Sequence, residues 1–218
     1  MVLPWDRDFL SSETELSSRT ILYASEGQNV NNVSRSIVKK ILGNIDSKDY
    51  LNLPLEEIAS QNFIFLYPKD KSVIDIDQIR DSFKYLFLKS NSKRLLYLEN
   101  IERIETRTFN TLLKFSEEAD KNMIICMSTN NINIVPKTIL SRFQKLKIPK
   151  PSNEIVKQHL INLGLNFDEQ KNDFVLQNLT LLDEDEDKNI NELFLKFDEY
   201  EAKKEIATKD KEEIRLFL

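Results

Sequence analysis

Glycine is what this chain lacks most: it has three, Gly27, Gly43 and Gly164, in 218 residues, where average usage gives roughly fifteen. That scarcity excludes functions built on Gly-rich backbone loops, an intact phosphate-cradling loop among them. There is one cysteine, Cys126, and one histidine, His159. Single copies exclude a disulfide framework, a Cys-rich zinc module, and any Ser–His–Asp or Cys–His set beyond what His159 alone serves. No apolar run approaches the roughly 20 residues that span a bilayer, so no membrane partner is expected. Residues 1–6 lack the charged and apolar regions of a secretory signal. The expected setting is soluble, reducing and cytoplasmic. A net charge of −5 excludes a chain that is basic throughout, although local patches can still meet phosphates.

What is present is an ordinary globular balance, 40% hydrophobic and 31% charged residues, enough for one sizeable core and a small appended domain. Short apolar runs alternate with segments of helical period. Ile21–Ala24, Phe63–Tyr67, Leu95–Leu98, Met123–Met127 and Leu146–Ile148 read as five strands. Between them, Val33, Ile37, Val38, Ile41 and Leu42 form one helical face that Gly43 is positioned to terminate. Ile76, Ile79, Phe83 and Leu86 form a second face, and Phe109, Leu112 and Leu113 a third. Strands apolar throughout, alternating with amphipathic helices, predict a parallel sheet covered on both faces. The expected fold class is α/β over residues 1–150. After Pro151 the pattern becomes helical. Ser152 is a candidate N-cap for a helix with Val156, Leu160 and Leu163 on its buried face. Leu193, Phe197 and Tyr200 mark another helix, and Ala202–Arg215 reads as a charged tail. Residues 151–218 are thus expected to be a small all-helical domain.

Ligands of α/β sheets sit at the carboxyl ends of the strands, and here that means the loop after the first strand. A phosphate loop needs two glycines, a lysine and a Ser or Thr in fixed register. Ser25, Val30, Asn31 and Asn32 stand at those positions. The loop has the location of a nucleotide site without its chemistry, and Glu26 adds negative charge. The third strand ends in Glu99-Asn100, where a P-loop ATPase places an acidic pair for Mg²⁺ and water. Glu99 keeps a carboxylate, but Asn100 cannot accept a proton.

Downstream, Asn110-Thr111-Leu112-Leu113-Lys114-Phe115-Ser116-Glu117-Glu118 is similar to the "N-A-L-L-K-x-x-E-E" helix of AAA+ clamp-loader subunits. Ser128-Thr129-Asn130-Asn131 resembles their sensor-1 strand end. Ser141-Arg142-Phe143 resembles their Ser-Arg-Cys motif, with Phe143 in place of cysteine. The order and spacing of these segments resemble the delta-prime family of the bacterial DNA polymerase III clamp loader. The resemblance implies an AAA+-like five-stranded parallel sheet flanked by helices, followed by a small helical lid. It implies a subunit with no cofactor and no ATPase activity of its own, in which Arg142, beside Ser141, acts as an arginine finger in trans. Asn130 would be the sensor-1 residue, with no phosphate to read. Implied partners are ATPase subunits of gamma/tau type, a delta-type subunit, and primed DNA through the assembled complex, with the sliding clamp as a further contact. The family's zinc module cannot be built from one cysteine, and residues 151–218 leave room for a lid but no collar domain. The rival expectation is an ATP-hydrolysing protein with Glu99 on Mg²⁺ and Arg35 or Lys39 replacing the missing lysine.

Other features read plainly. Asp183–Asp187 is acidic, but an EF-hand starting there would need Gly and Glu where Lys188 and Phe194 stand. No metal site is expected. His159 lies on a helix without neighbouring ligands. Lys145, Lys147 and Lys150 read as a wet face that can also meet DNA phosphates, and Cys126 as an inert core thiol.

Overall fold

The structure, a computed structural model, describes residues 4–12, 16–25, 28, 30–68, 73–74, 76–86 and 92–162, with single positions at Leu179, Glu199 and Lys203. The chain divides into two compact units, residues 2–150 and residues 151–218.

In the first unit, helix α1 (Pro4–Ser12) precedes strand β1 (Arg19–Tyr23) and helix α2 (Val30–Asp46). Strand β2 (Phe63–Leu66), helix α3 (Ile76–Leu86), strand β3 (Arg94–Leu98) and helix α4 (Thr106–Glu118) follow. Strand β4 (Met123–Thr129), the single-turn helix α5 (Lys137–Leu140) and strand β5 (Gln144–Lys147) complete it. All pairings are parallel and the strand order is β2-β3-β4-β1-β5. This is the α/β class, a five-stranded parallel sheet flanked by helices, that the alternation of apolar strands and amphipathic helices predicts.

The sheet is covered on both faces, as continuously apolar parallel strands require. Successive strand residues point to opposite sides. Leu96, Leu98 and Ile21 therefore join Ile79, Phe83, Phe109, Leu112 and Phe115 of α3 and α4 in one core. Leu95, Tyr97, Leu22 and Cys126 join Val33, Ile37, Val38 and Leu42 of α2 in the other. Phe83 and Phe115 stack with ring centroids 3.7 Å apart and clamp α3 to α4. β5 is an edge strand, and its Lys145 and Lys147 are exposed, the solvated face that blunts an edge. Cys126 is fully buried, and burial pushes its thiol up to about 12. No helix among the described residues is long and apolar enough to cross a membrane.

One helix is unexpected, and one expectation is corrected. α1 has no counterpart in the sequence reading. Its Trp5 is buried, its Phe9 and Leu10 pack partly against the α2 core, and the Leu10 carbonyl accepts from Lys40 Nζ at 3.3 Å. Gly43 does not end α2. The helix continues to Asp46, and Ser47, at φ 54°, takes the left-handed position that closes it. The Lys48 N–H then donates to the Gly43 carbonyl at 3.1 Å, the long-range bond of a Schellman turn. A Cβ at Gly43 would lie 2.7 Å from the Lys48 carbonyl oxygen, so glycine serves close approach here. Gly43→Ala should therefore destabilise by about 1–2 kcal/mol, because the clash with backbone outweighs the gain in helix propensity. Urea unfolding checks this; a more stable variant would show that the turn relaxes freely.

In the second unit, helix α6 (Asn153–Asn162) begins at Ser152, whose Oγ accepts from the Ile155 N–H at 3.4 Å. Val156 and Leu160 are buried. Leu163, the helix face Leu193, Phe197 and Tyr200, the acidic run Asp183–Asp187 and, apart from Lys203, the charged tail Ala202–Arg215 lie outside the described residues.

Candidate functional site

Because the chain leaves β1 for the far edge at β2 and finally returns to β5 on β1's other side, the carboxyl ends of β1, β4 and β3 meet the start of α2. That is the switch point where such sheets take ligands. Ser25, Val30, Asn31, Asn32, Glu99, Asn100 and Asn130 all lie on the segments that meet there. Ser141 and Arg142 do not; they follow α5.

The loop after β1 is tied to its own chain. Gln28 N–H donates to the Ser25 carbonyl at 3.1 Å, and the Ser25 N–H donates to Gln28 Oε1 at 3.2 Å. Gln28 Nε2 donates to the Pro149 carbonyl at 3.0 Å. Gln28 is buried and was not singled out from the sequence, where it is one polar loop residue among several. At the start of α2 the Val30 N–H, one of the orphan donors of a helix N-terminus, donates to Asn130 Oδ1 at 3.1 Å. Asn130 Nδ2 in turn donates to Glu102 Oε1 at 3.4 Å. Asn31 and Asn32 are half-buried in the first turn, and their carbonyls accept from Ser34 Oγ and Ser36 Oγ.

Glu99 is 3% exposed. Its carboxylate accepts twice from Arg35 of α2, from Nε at 2.5 Å and from Nη2 at 2.8 Å. Arg35 also pairs with Glu56 at 3.0 Å, and its Cζ lies 5.5 Å from the Phe65 ring centroid. The hydrogen bonds to Glu99 outweigh partial burial and hold the Arg35 guanidinium charged beyond its ordinary range. Lys39, one turn further on, donates to the Leu51 carbonyl at 3.3 Å. Burial, with Arg35 beside it, lowers its ammonium below the ordinary lysine range. Both cations named in the rival expectation are thus engaged with acceptors of this chain, Arg35 with Glu99 and Glu56 and Lys39 with the Leu51 carbonyl.

Behind Glu99 lies a buried hydroxyl chain. Ser34 Oγ and Tyr97 Oη are 2.6 Å apart, Tyr97 Oη and Ser128 Oγ 2.9 Å apart, and Tyr97 Oη lies 3.4 Å from Glu99 Oε2. Burial, reinforced by the Glu99 charge, pushes the Tyr97 phenol well above its ordinary range, so it remains a neutral donor. Asn100 takes the left-handed conformation at φ 55°, which asparagine tolerates better than most residues. Among the described residues its Oδ1 and Glu102 Oε2 are buried without a hydrogen-bond partner. No cluster of three His, Cys, Asp or Glu capable of holding a metal occurs among the described residues.

Arg142 forms a second, separate locus. Its Nε donates to Glu117 Oε1 at 2.9 Å and its Nη1 to the Thr138 carbonyl at 2.9 Å. Ser141 Oγ lies 3.4 Å from Nη1. Both Ser141 and Arg142 are exposed, whereas Phe143, at the place of the motif's cysteine, is buried in the α3–α4 core.

Known proteins share this sequence in part. A gamma subunit of DNA polymerase III from Buchnera aphidicola is 33% identical over 105 residues, covering 46% of this chain and 28% of that protein. A protein of Mycoplasma pneumoniae described as an uncharacterized MG007 homolog is 37% identical over 62 residues, 28% of this chain and 24% of its own length. The chain thus spans about a quarter of the length of these relatives. Among solved structures, a DNA polymerase III gamma subunit-related protein from Thermotoga maritima superimposes with a TM-score of 0.49 at 16% identity, covering 88% of this chain and 58% of that one. The family described as DNA polymerase III, delta subunit, matches residues 12–152 of the 218. On that match, the chain belongs to the DNA polymerase III delta subunit family.

Proposed function

We propose that this chain is a non-catalytic, delta-prime-type subunit of the DNA polymerase III clamp loader. It occupies one place in an ATPase ring, lends Arg142 to a neighbouring ATPase subunit of gamma/tau type, and helps place a sliding clamp on primed DNA in the cytoplasm. The observation that carries the reading is that its would-be nucleotide site is filled by its own side chains. A magnesium-bound nucleotide does not fit the residues present. The carboxylate it would need, Glu99, is bonded twice to Arg35. The helix donor a phosphate would take, Val30 N–H, is bonded to Asn130. Asn31 stands where the phosphate-binding lysine belongs. Binding would have to break the buried Arg35–Glu99 pair, and Asn31 would offer the phosphates no cation in return.

Arg142 has the converse character. It is exposed, permanently charged and able to fork onto phosphate oxygens, the properties a residue acting on another subunit's nucleotide requires. Isothermal titration of the folded chain with Mg²⁺–ATP should give no saturable heat up to high micromolar nucleotide. Saturable binding would overturn the reading and favour an ATP-binding protein with an unconventional phosphate loop.

A further inference from the structure

We infer that Glu117 is a positioning residue for Arg142, orienting its guanidinium toward the triphosphate of a neighbouring subunit. The inference rests on reading Arg142 as a finger acting in trans. Glu117 lies in the last turn of α4 and Arg142 just beyond α5, so the contact joins two elements far apart in sequence. Glu117 Oε1 lies 2.9 Å from both Nε and Nη2 of Arg142, while Nη1 is held by the Thr138 carbonyl at 2.9 Å and faces Ser141 Oγ at 3.4 Å. A guanidinium carries five N–H donors. These contacts fix its plane and, among the described residues, leave an Nη2 hydrogen over for an acceptor from outside the chain.

Two observations set this contact apart from a stabilising ion pair. The side chains are 42% and 54% exposed, and such pairs contribute little to stability. Glu117 also sits at the carboxyl end of a helix, where the macrodipole disfavours a carboxylate. A position poor for folding is explained by what it does to Arg142. It restricts a long, rotamer-rich side chain to one orientation before the neighbour's nucleotide arrives, so the stabilising charge needs no reorganisation during reaction.

The test uses ATP turnover of a loader reconstituted with the full chain carrying Glu117→Ala, Glu117→Gln, Arg142→Ala, or Glu117→Ala with Arg142→Ala. Glu117→Ala should lower kcat at the neighbouring site about three- to tenfold with KM for ATP unchanged. Glu117→Gln keeps an acceptor oxygen and should recover most of that loss. The double variant should be no slower than Arg142→Ala alone, since Glu117 acts only through Arg142. Unchanged or raised turnover in Glu117→Ala, or an additive loss in the double variant, overturns the inference. So does a lowered unfolding midpoint shared by both Glu117 variants, which would make the effect one of stability. If Arg142→Ala itself turns over normally, the finger reading fails; if only that variant is slow, the role of Glu117 alone falls.

Discussion

Replacing Arg142 by alanine should lower ATP turnover at the neighbouring site of the reconstituted loader by about three orders of magnitude, the lower bound for a finger supplied in trans. The size follows from the chemistry: charge spreads over the transferred phosphoryl oxygens, and a fixed cation there stabilises the transition state more than the bound nucleotide. Arg142→Lys should recover little, because an ammonium keeps the charge but loses the planar fork that Glu117 and the Thr138 carbonyl hold in place. Neither variant should unfold the chain, since Arg142 is exposed and its pair with Glu117 is solvated. The measurement is steady-state turnover with matched unfolding curves. Turnover unchanged in Arg142→Ala would sink the assignment, and a collapse of the fold would show that the residue is structural.

The second large effect concerns the Arg35–Glu99 pair. Arg35→Ala leaves the Glu99 carboxylate, 3% exposed, without its cation. Removing one partner of a buried pair costs about 3–5 kcal/mol; with the Arg35 side chain 31% exposed, about 2–4 kcal/mol is the discounted expectation. For a chain of this size that corresponds to a fall of roughly 5–15 °C in the unfolding midpoint. Glu99→Ala should cost less, because Arg35 keeps Glu56 at 3.0 Å and its access to solvent. The double variant Arg35→Ala, Glu99→Ala should then be more stable than Arg35→Ala alone. That asymmetry, read by urea unfolding, separates an uncompensated buried charge from lost packing. Equal costs for the two single variants, adding in the double, would show that the pair is uncoupled.

Much of this architecture is legible in the linear chain. Leu95–Leu98 and Met123–Met127 are apolar at every position because both faces of a parallel sheet are covered, and that alone predicts strands between helices. The ordered segments "NTLLKFSEE", "STNN" and "SRF" point to the family before any coordinate is known. That Ser25, Val30 and Asn31 are not glycine, glycine and lysine is equally plain, since a residue's identity is a local fact. Gly43 does not terminate its helix because a helix end is chosen by the chain that follows, here the left-handed Ser47 and the approach of Lys48.

What the linear order could not supply is which side chains meet at the carboxyl ends of the strands. Arg35 and Glu99 are 64 residues apart and Val30 and Asn130 are 100 apart, and no periodicity relates such pairs. Their meeting depends on the order β2-β3-β4-β1-β5, which brings the carboxyl ends of β1, β3 and β4 beside the first turns of α2. Glu117 and Arg142 are likewise each visible as motif members, but only the packing of α4 and α5 in one core makes them a pair. Composition and pattern decide which faces are buried, because burial is a local demand of each element. Which charges meet across those elements is a property of their spatial order, and it exists only once the sheet has formed.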